Sequence, residues 1–172
     1  MKILKKHIVA LSVLVFTSFQ LFSSTLSLNG NWLDADNNKM SIMQSDAKFI
    51  VSRQAVKMNG NVNGTSVSLS IDQNTAITGT ISADNMIITW SNGSQWYREI
   101  SGPWKNKTGE TKNVEQSGNI IRIKKPKGDI EFLGFIKNNG LTIFSKVNND
   151  ALTGTLNTSK QITWSDGSVW SK

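Results

Sequence analysis

Along most of the chain, hydrophobic and polar positions alternate with a period of two, and the 3.6-residue spacing of a helix is nowhere sustained. Val67-Ser68-Leu69-Ser70-Ile71 puts Val67, Leu69 and Ile71 on one face of a strand, and Ile77-Thr78-Gly79-Thr80-Ile81 repeats the pattern. Turn formers interrupt it about every 8–12 residues: Asp36-Asn37-Asn38, Asn63-Gly64, Asp84-Asn85, Asn139-Gly140 and Asn149-Asp150 each tolerate a left-handed backbone or close an Asx turn. The pattern predicts strands at Asn31–Ala35, Lys39–Gln44, Lys48–Arg53, Val56–Val62, Ser66–Ile71, Ala76–Ser82, Met86–Ser91 and Ser94–Glu99, with the rest of the chain repeating them. Strands joined by such short turns are antiparallel neighbours, and a meander that closes on itself leaves no free edge.

The start of the chain breaks the alternation. Lys2, Lys5 and Lys6 precede an apolar run from Ile8 to Phe22, followed by Ser23, Ser24 and Thr25. That order is the one of a secretory signal peptide, and the run falls short of the roughly 20 residues that a spanning helix needs. Cleavage is expected between Ser24 and Ser27, delivering the mature chain outside the cytosol, secreted or periplasmic. No later segment is long and apolar enough to cross a membrane.

The rest of the chain is duplicated. Gly30-Asn31-Trp32 matches Gly102-Pro103-Trp104 at an offset of 72, Thr78-Gly79-Thr80 matches Thr153-Gly154-Thr155 at 75, and Ile88-Thr89-Trp90-Ser91-Asn92-Gly93-Ser94-Gln95-Trp96 matches Ile162-Thr163-Trp164-Ser165-Asp166-Gly167-Ser168-Val169-Trp170 at 74. All six tryptophans fall into three matched pairs. The expected organisation is a leader over 1–27 and two units over 28–100 and 101–172, each a small all-β antiparallel meander barrel, joined near Glu99–Pro103.

The Trp-Ser-Asn/Asp-Gly-Ser-x-Trp hairpin admits two geometries. A two-residue turn at Asn92-Gly93 puts Trp90 opposite Gln95 and sends Trp96 to the other face. A three-residue loop with Gly93 left-handed pairs Ile88 with Trp96 and gathers Ile88, Trp90 and Trp96 on one face. The second is favoured because it collects the large apolar groups. The tryptophans then have two readings, as core, since each indole buries roughly 150–250 Å², or as stacking platforms for sugars and other flat ligands. Trp90, Asn92, Gln95 and Trp96, with Trp164, Asp166 and Trp170 in the second unit, are the candidate ligand-binding residues, and that reading requires Trp96 and Trp170 to be partly exposed. Trp32 and Trp104 read as structural.

Gly-x-Trp on a first strand, a β meander, and a last strand with an aromatic-x-basic pattern resemble the calycin barrels, the lipocalin and avidin-like families. The resemblance implies that Trp32 and Trp104 each close a barrel end with a basic residue, Arg98 or Lys172, packed over the ring as a cation–π partner. It also implies a small-ligand or structural role and not catalysis. A barrel this narrow, filled by its own side chains, leaves little interior for a ligand.

Composition narrows the chemistry. Cysteine is absent and the single histidine, His7, lies in the leader, so the mature chain has no thiol nucleophile, disulfide, Cys/His zinc site or histidine base. Packing alone must hold the fold. Paired carboxylates remain: Asp34 with Asp36, and Asp129 with Glu131, share strand faces. Neither pair recurs in the other unit, and Asp34 reads as a hairpin cap rather than a calcium ligand. No enzyme, cofactor or metal is expected. Removing the leader takes three of 19 basic residues and none of 12 acids, leaving +4. The balance is −1 over 29–101 and +5 over 102–172, with a basic patch at Arg122, Lys124, Lys125 and Lys127. Export and this modest charge argue against a nucleic-acid partner. Asn63-Gly64-Thr65, Asn92-Gly93-Ser94, Asn106-Lys107-Thr108 and Asn157-Thr158-Ser159 are glycosylation sequons, meaningful only if the source has an endoplasmic reticulum. The units also diverge, Phe49 to Ile121, Met58 to Phe132 and Gln95 to Val169. The function expected is non-catalytic binding of a carbohydrate or another extracellular ligand. The rival is a structural, envelope-associated protein whose tryptophans only fill cores.

Overall fold

The computed structural model describes residues 26–138, 140–145, 150–157 and 160–172. The leader up to residue 25, and Asn139 and Asn149 of two expected turns, lie outside the described residues, as do Thr158 and Ser159 of the last sequon. The chain forms two closed antiparallel barrels of eight strands each, in sequence order round each wall. The first contains β1 (Gly30–Asp34), β2 (Lys39–Ser45), β3 (Lys48–Arg53), β4 (Val56–Asn63), β5 (Ser66–Ser70), β6 (Ala76–Ile81), β7 (Ile87–Trp90) and β8 (Gln95–Arg98). The second contains β9 (Gly102–Asn106), β10 (Thr111–Ser117), β11 (Ile120–Lys124), β12 (Ile130–Lys137), β13 (Gly140–Ser145), β14 (Ala151–Asn157), β15 (Gln161–Trp164) and β16 (Val169–Ser171). Pairing of β1 with β8 and of β9 with β16 closes the walls. No helix among the described residues is long and apolar enough to cross a membrane.

Alternation sends every second side chain inward, and the barrels are narrow enough that some inward positions must be glycine. A Cβ on Gly60 would lie 2.2 Å from the Phe49 ring, and one on Gly79 would lie 2.8 Å from the Trp90 ring. Gly154 repeats the second contact, at 2.6 Å from Trp164. Thr-Gly-Thr recurs because the glycine vacates the volume that a cross-strand indole fills.

Each barrel is stoppered at one end by the residue two positions before its first strand. Leu28 N–H donates to Gln44 Oε1 (2.6 Å) and its carbonyl accepts from Trp32 Nε1 (2.9 Å). Ile100 N–H donates to Gln116 Oε1 (2.8 Å), and its carbonyl accepts from Trp104 Nε1 (2.7 Å). Both stoppers are buried. Ile100, reached directly from the first barrel, therefore sits in the second barrel's core, and Met86, Ile87 and Tyr97 of the first barrel join the same cluster. Gln116 Nε2 also donates to Arg98 O (3.1 Å), and Gly118 N–H to Asn37 Oδ1 (2.5 Å). The barrels are packed together through this interface.

Candidate functional site

The hairpins that hold most of the candidate residues adopt the three-residue loop. Gly93 N–H donates to Trp90 O and Trp90 N–H to Ser94 O, both at 2.9 Å. Gly93 takes φ +83°, Gly167 takes φ +79°, and the second hairpin repeats the bonds through Trp164, Gly167 and Ser168. Ile88 consequently pairs with Trp96 and Ile162 with Trp170, so the indoles share the inner face. Trp90 and Trp96 meet edge-on with centroids 4.7 Å apart, and Trp164 and Trp170 at 4.9 Å.

This packing decides which candidates can reach a ligand. Trp90 and Trp164 are buried, and their Nε1 atoms have no hydrogen-bond partner. Trp96 is partly exposed, as the binding reading requires. Trp170, at 5% exposure, does not meet the requirement. The two barrels also differ across the wall, where Phe132 stands at the position of Met58, each packed on its own barrel's core cluster. Asn92 and Asp166 are exposed but build their turns. Asn92 Oδ1 accepts from Ser94 N–H (3.0 Å) and hydroxyl (2.7 Å). Asp166 Oδ1 accepts from Ser168 N–H (2.8 Å), and Ser168 hydrogen bonds hold this carboxyl below its ordinary pKa.

The barrel-end contacts are formed in both units. The Arg98 guanidinium lies 4.6 Å from the Trp32 ring centroid and the Lys172 ammonium 5.1 Å from that of Trp104. Arg98 is buried, and its Nε, Nη1 and Nη2 donate to the carbonyls of Asn85 (2.8 Å), Asn29 (2.9 Å) and Ser27 (2.7 Å). Burial pushes its pKa down to about 10 against the opposing pull of Asp84, so it stays charged at neutral pH. Lys172 Nζ donates to Ser101 O (2.6 Å).

Of the carboxylates, Asp34 caps its hairpin: Oδ1 accepts from Asp36 N–H (3.0 Å) and Asn38 N–H (2.8 Å). Glu131 Oε2 accepts from Lys112 Nζ (2.7 Å), which also reaches Glu110 Oε1 (2.9 Å). Lys112 points inward opposite Trp104, where the first barrel has Met40 opposite Trp32. Burial alone would lower the Lys112 pKa, but bonds to Glu131 and Glu110 raise it. Among the described residues no three acidic, histidine or cysteine side chains gather as metal ligands.

Gln95 points outward instead, beside Tyr97, into a cleft of about 610 Å³ between the barrels. Tyr97 hydroxyl donates to Gln95 Oε1 (2.8 Å), and Gln95 Nε2 donates to Thr89 Oγ1 (3.1 Å). The second barrel contributes Asn119, Asn138, Thr142 and Thr153, with Lys137 as the one charged group, over a floor of Ile87 and Ile136, both nearly fully buried. Apart from Gln95, no candidate residue lines it. The outward-pointing Tyr97, the only tyrosine, was the one local signal available. The facing residues lie some 20 to 60 positions further on and meet it only through barrel packing.

Comparison of the chain with family models, curated proteins and solved structures finds no match.

Proposed function

We propose that the protein is an exported, non-catalytic binding protein whose ligand occupies the cleft between the two barrels. The observation that carries this reading is the lining: hydroxyl and amide groups from both barrels converge on an aliphatic and aromatic floor, with one cation and no carboxylate. Such a surface suits a hydroxyl-rich ligand, neutral or acidic, and glycans are the extracellular class of that kind. Tyr97 supplies an apolar ring with a fixed polar tip, and the convergent side chains set orientation. The paired tryptophan–cation contacts support a calycin-like way of closing the barrel ends.

The test is a glycan array probed with the mature chain and with Thr153→Arg, which projects a long cation into the cleft from an exposed wall position. Binding by the native chain that Thr153→Arg lowers at least ~10-fold supports the reading. Binding that survives it, or moves only with Trp96→Ala, places the ligand elsewhere. Burial of every tryptophan except Trp96 favours a second reading, a structural protein whose indoles are core. Native-chain fluorescence that is blue-shifted and protected from quencher, together with an empty array, decides for that reading.

A further inference from the structure

Because the barrels are duplicates, a face that is occupied on one shows what its counterpart on the other can hold. The first barrel packs Met86, Ile87 and Tyr97, as a knob, into the cluster that holds Ile136 of the second barrel, and Ile136, Lys137, Thr142 and Thr153 form the face that borders this contact along the cleft. Strand register equates these four with Val62, Asn63, Ser68 and Thr78. Gly134 faces Ile121 and Ile143 as Gly60 faces Phe49 and Leu69, and Gly154 faces Leu141 and Trp164 as Gly79 faces Val67 and Trp90. On the first barrel those four positions line a groove of about 620 Å³ on the outside of β4–β7. The adjoining hairpin is matched too. Gly118, whose N–H crosses the interface to Asn37, has φ +55°, and its counterpart Asp46 has φ +53°.

The groove lining says what the occupant is. None of its residues is charged, Asn63 standing where the second barrel has Lys137, and Ser66, Thr80 and Thr89 extend the hydroxyl-rich surface. A charged surface docking here would lose its hydration without gaining a counter-charge. An aliphatic and phenolic surface would bury its apolar body and find partners for its polar tips. A second copy of this chain does not supply that surface. Its first-barrel knob is covered by its own second barrel, and on the second barrel the knob positions Met86, Ile87 and Tyr97 have become Lys160, Gln161 and Ser171.

We infer that the outer β4–β7 face of the first barrel is a docking site for another polypeptide, a β-rich protein presenting aliphatic and tyrosine side chains without charge. The site is separate from the inter-barrel cleft, and its test does not depend on a glycan binding there. The probe is this chain with the knob restored on its second barrel by Lys160→Met, Gln161→Ile and Ser171→Tyr. Sedimentation velocity is expected to show one monomeric species for the native chain and concentration-dependent, head-to-tail association for the restored chain. Adding Thr78→Arg in the groove is expected to weaken that association at least ~10-fold, whereas Ile50→Arg, on the outer face of β3, leaves it unchanged. A restored chain that stays monomeric with its β circular dichroism intact overturns the proposal. Association indifferent to Thr78→Arg overturns it too, and native-chain association lost on Thr78→Arg overturns the exclusion of a second copy.

Discussion

At the residue scale, the most demanding group is Arg98, a charge held in a barrel end by three carbonyls and an indole face. Removing it strands those acceptors, whereas lysine keeps a cation over the ring, as Lys172 does over Trp104. Arg98→Leu is expected to cost about 2–4 kcal/mol in urea unfolding and Arg98→Lys clearly less. Equal losses would show that the side chain acts only as a spacer. The tryptophan–cation pairing was legible beforehand only through the calycin resemblance, which implied a basic residue of the last strand over the first-strand tryptophan. The inward Lys112 was not, since a lysine on a strand is ordinarily solvated and its partner Glu131 is supplied by β12.

At the scale of the element, glycine has two separate jobs in these hairpins and sheets. Gly93 carries a left-handed backbone, with nothing within 4 Å of where its Cβ would stand. Gly79 has ordinary backbone but would drive a Cβ to 2.9 Å from Thr89 O as well as into the Trp90 ring. Gly93→Ala is therefore expected to cost about 1 kcal/mol through conformation alone. Gly79→Ala is expected to cost about 1–3 kcal/mol through overpacking, with loss of near-ultraviolet circular dichroism from the indoles. An unchanged indole signal in Gly79→Ala would contradict the packing assigned to Thr-Gly-Thr. The hairpin register could be read from Trp-Ser-Asn-Gly-Ser-x-Trp because loop length fixes which side chains pair. The unequal exposure of Trp96 and Trp170 could not, because the two hairpins carry the same Trp-Ser-Asn/Asp-Gly-Ser-x-Trp pattern and burial is set by what packs against them from other strands.

For the whole molecule, stability should respond to acid in a defined direction. Asp72 is held below its ordinary pKa by hydrogen bonds from Asn74 and Thr75, Glu110 by Lys112, and Asp166 by Ser168. Acids depressed in the folded state stabilise it above the unfolded carboxylate value, near ~4, and that contribution vanishes as pH falls through the lower folded values. The Tm is expected to hold from neutrality to about pH 5 and to decline below about pH 4, and a Tm that rises on acidification would contradict these bonds. The cleft and the groove are properties of this scale only, since no run of residues in either unit announces how two closed walls will lean on one another. The placement of Ile100 at the same boundary redraws the unit of inheritance. A gene fragment opening at Gly102 would encode a cask without its cork, so a module able to seal itself runs from cork to last stave.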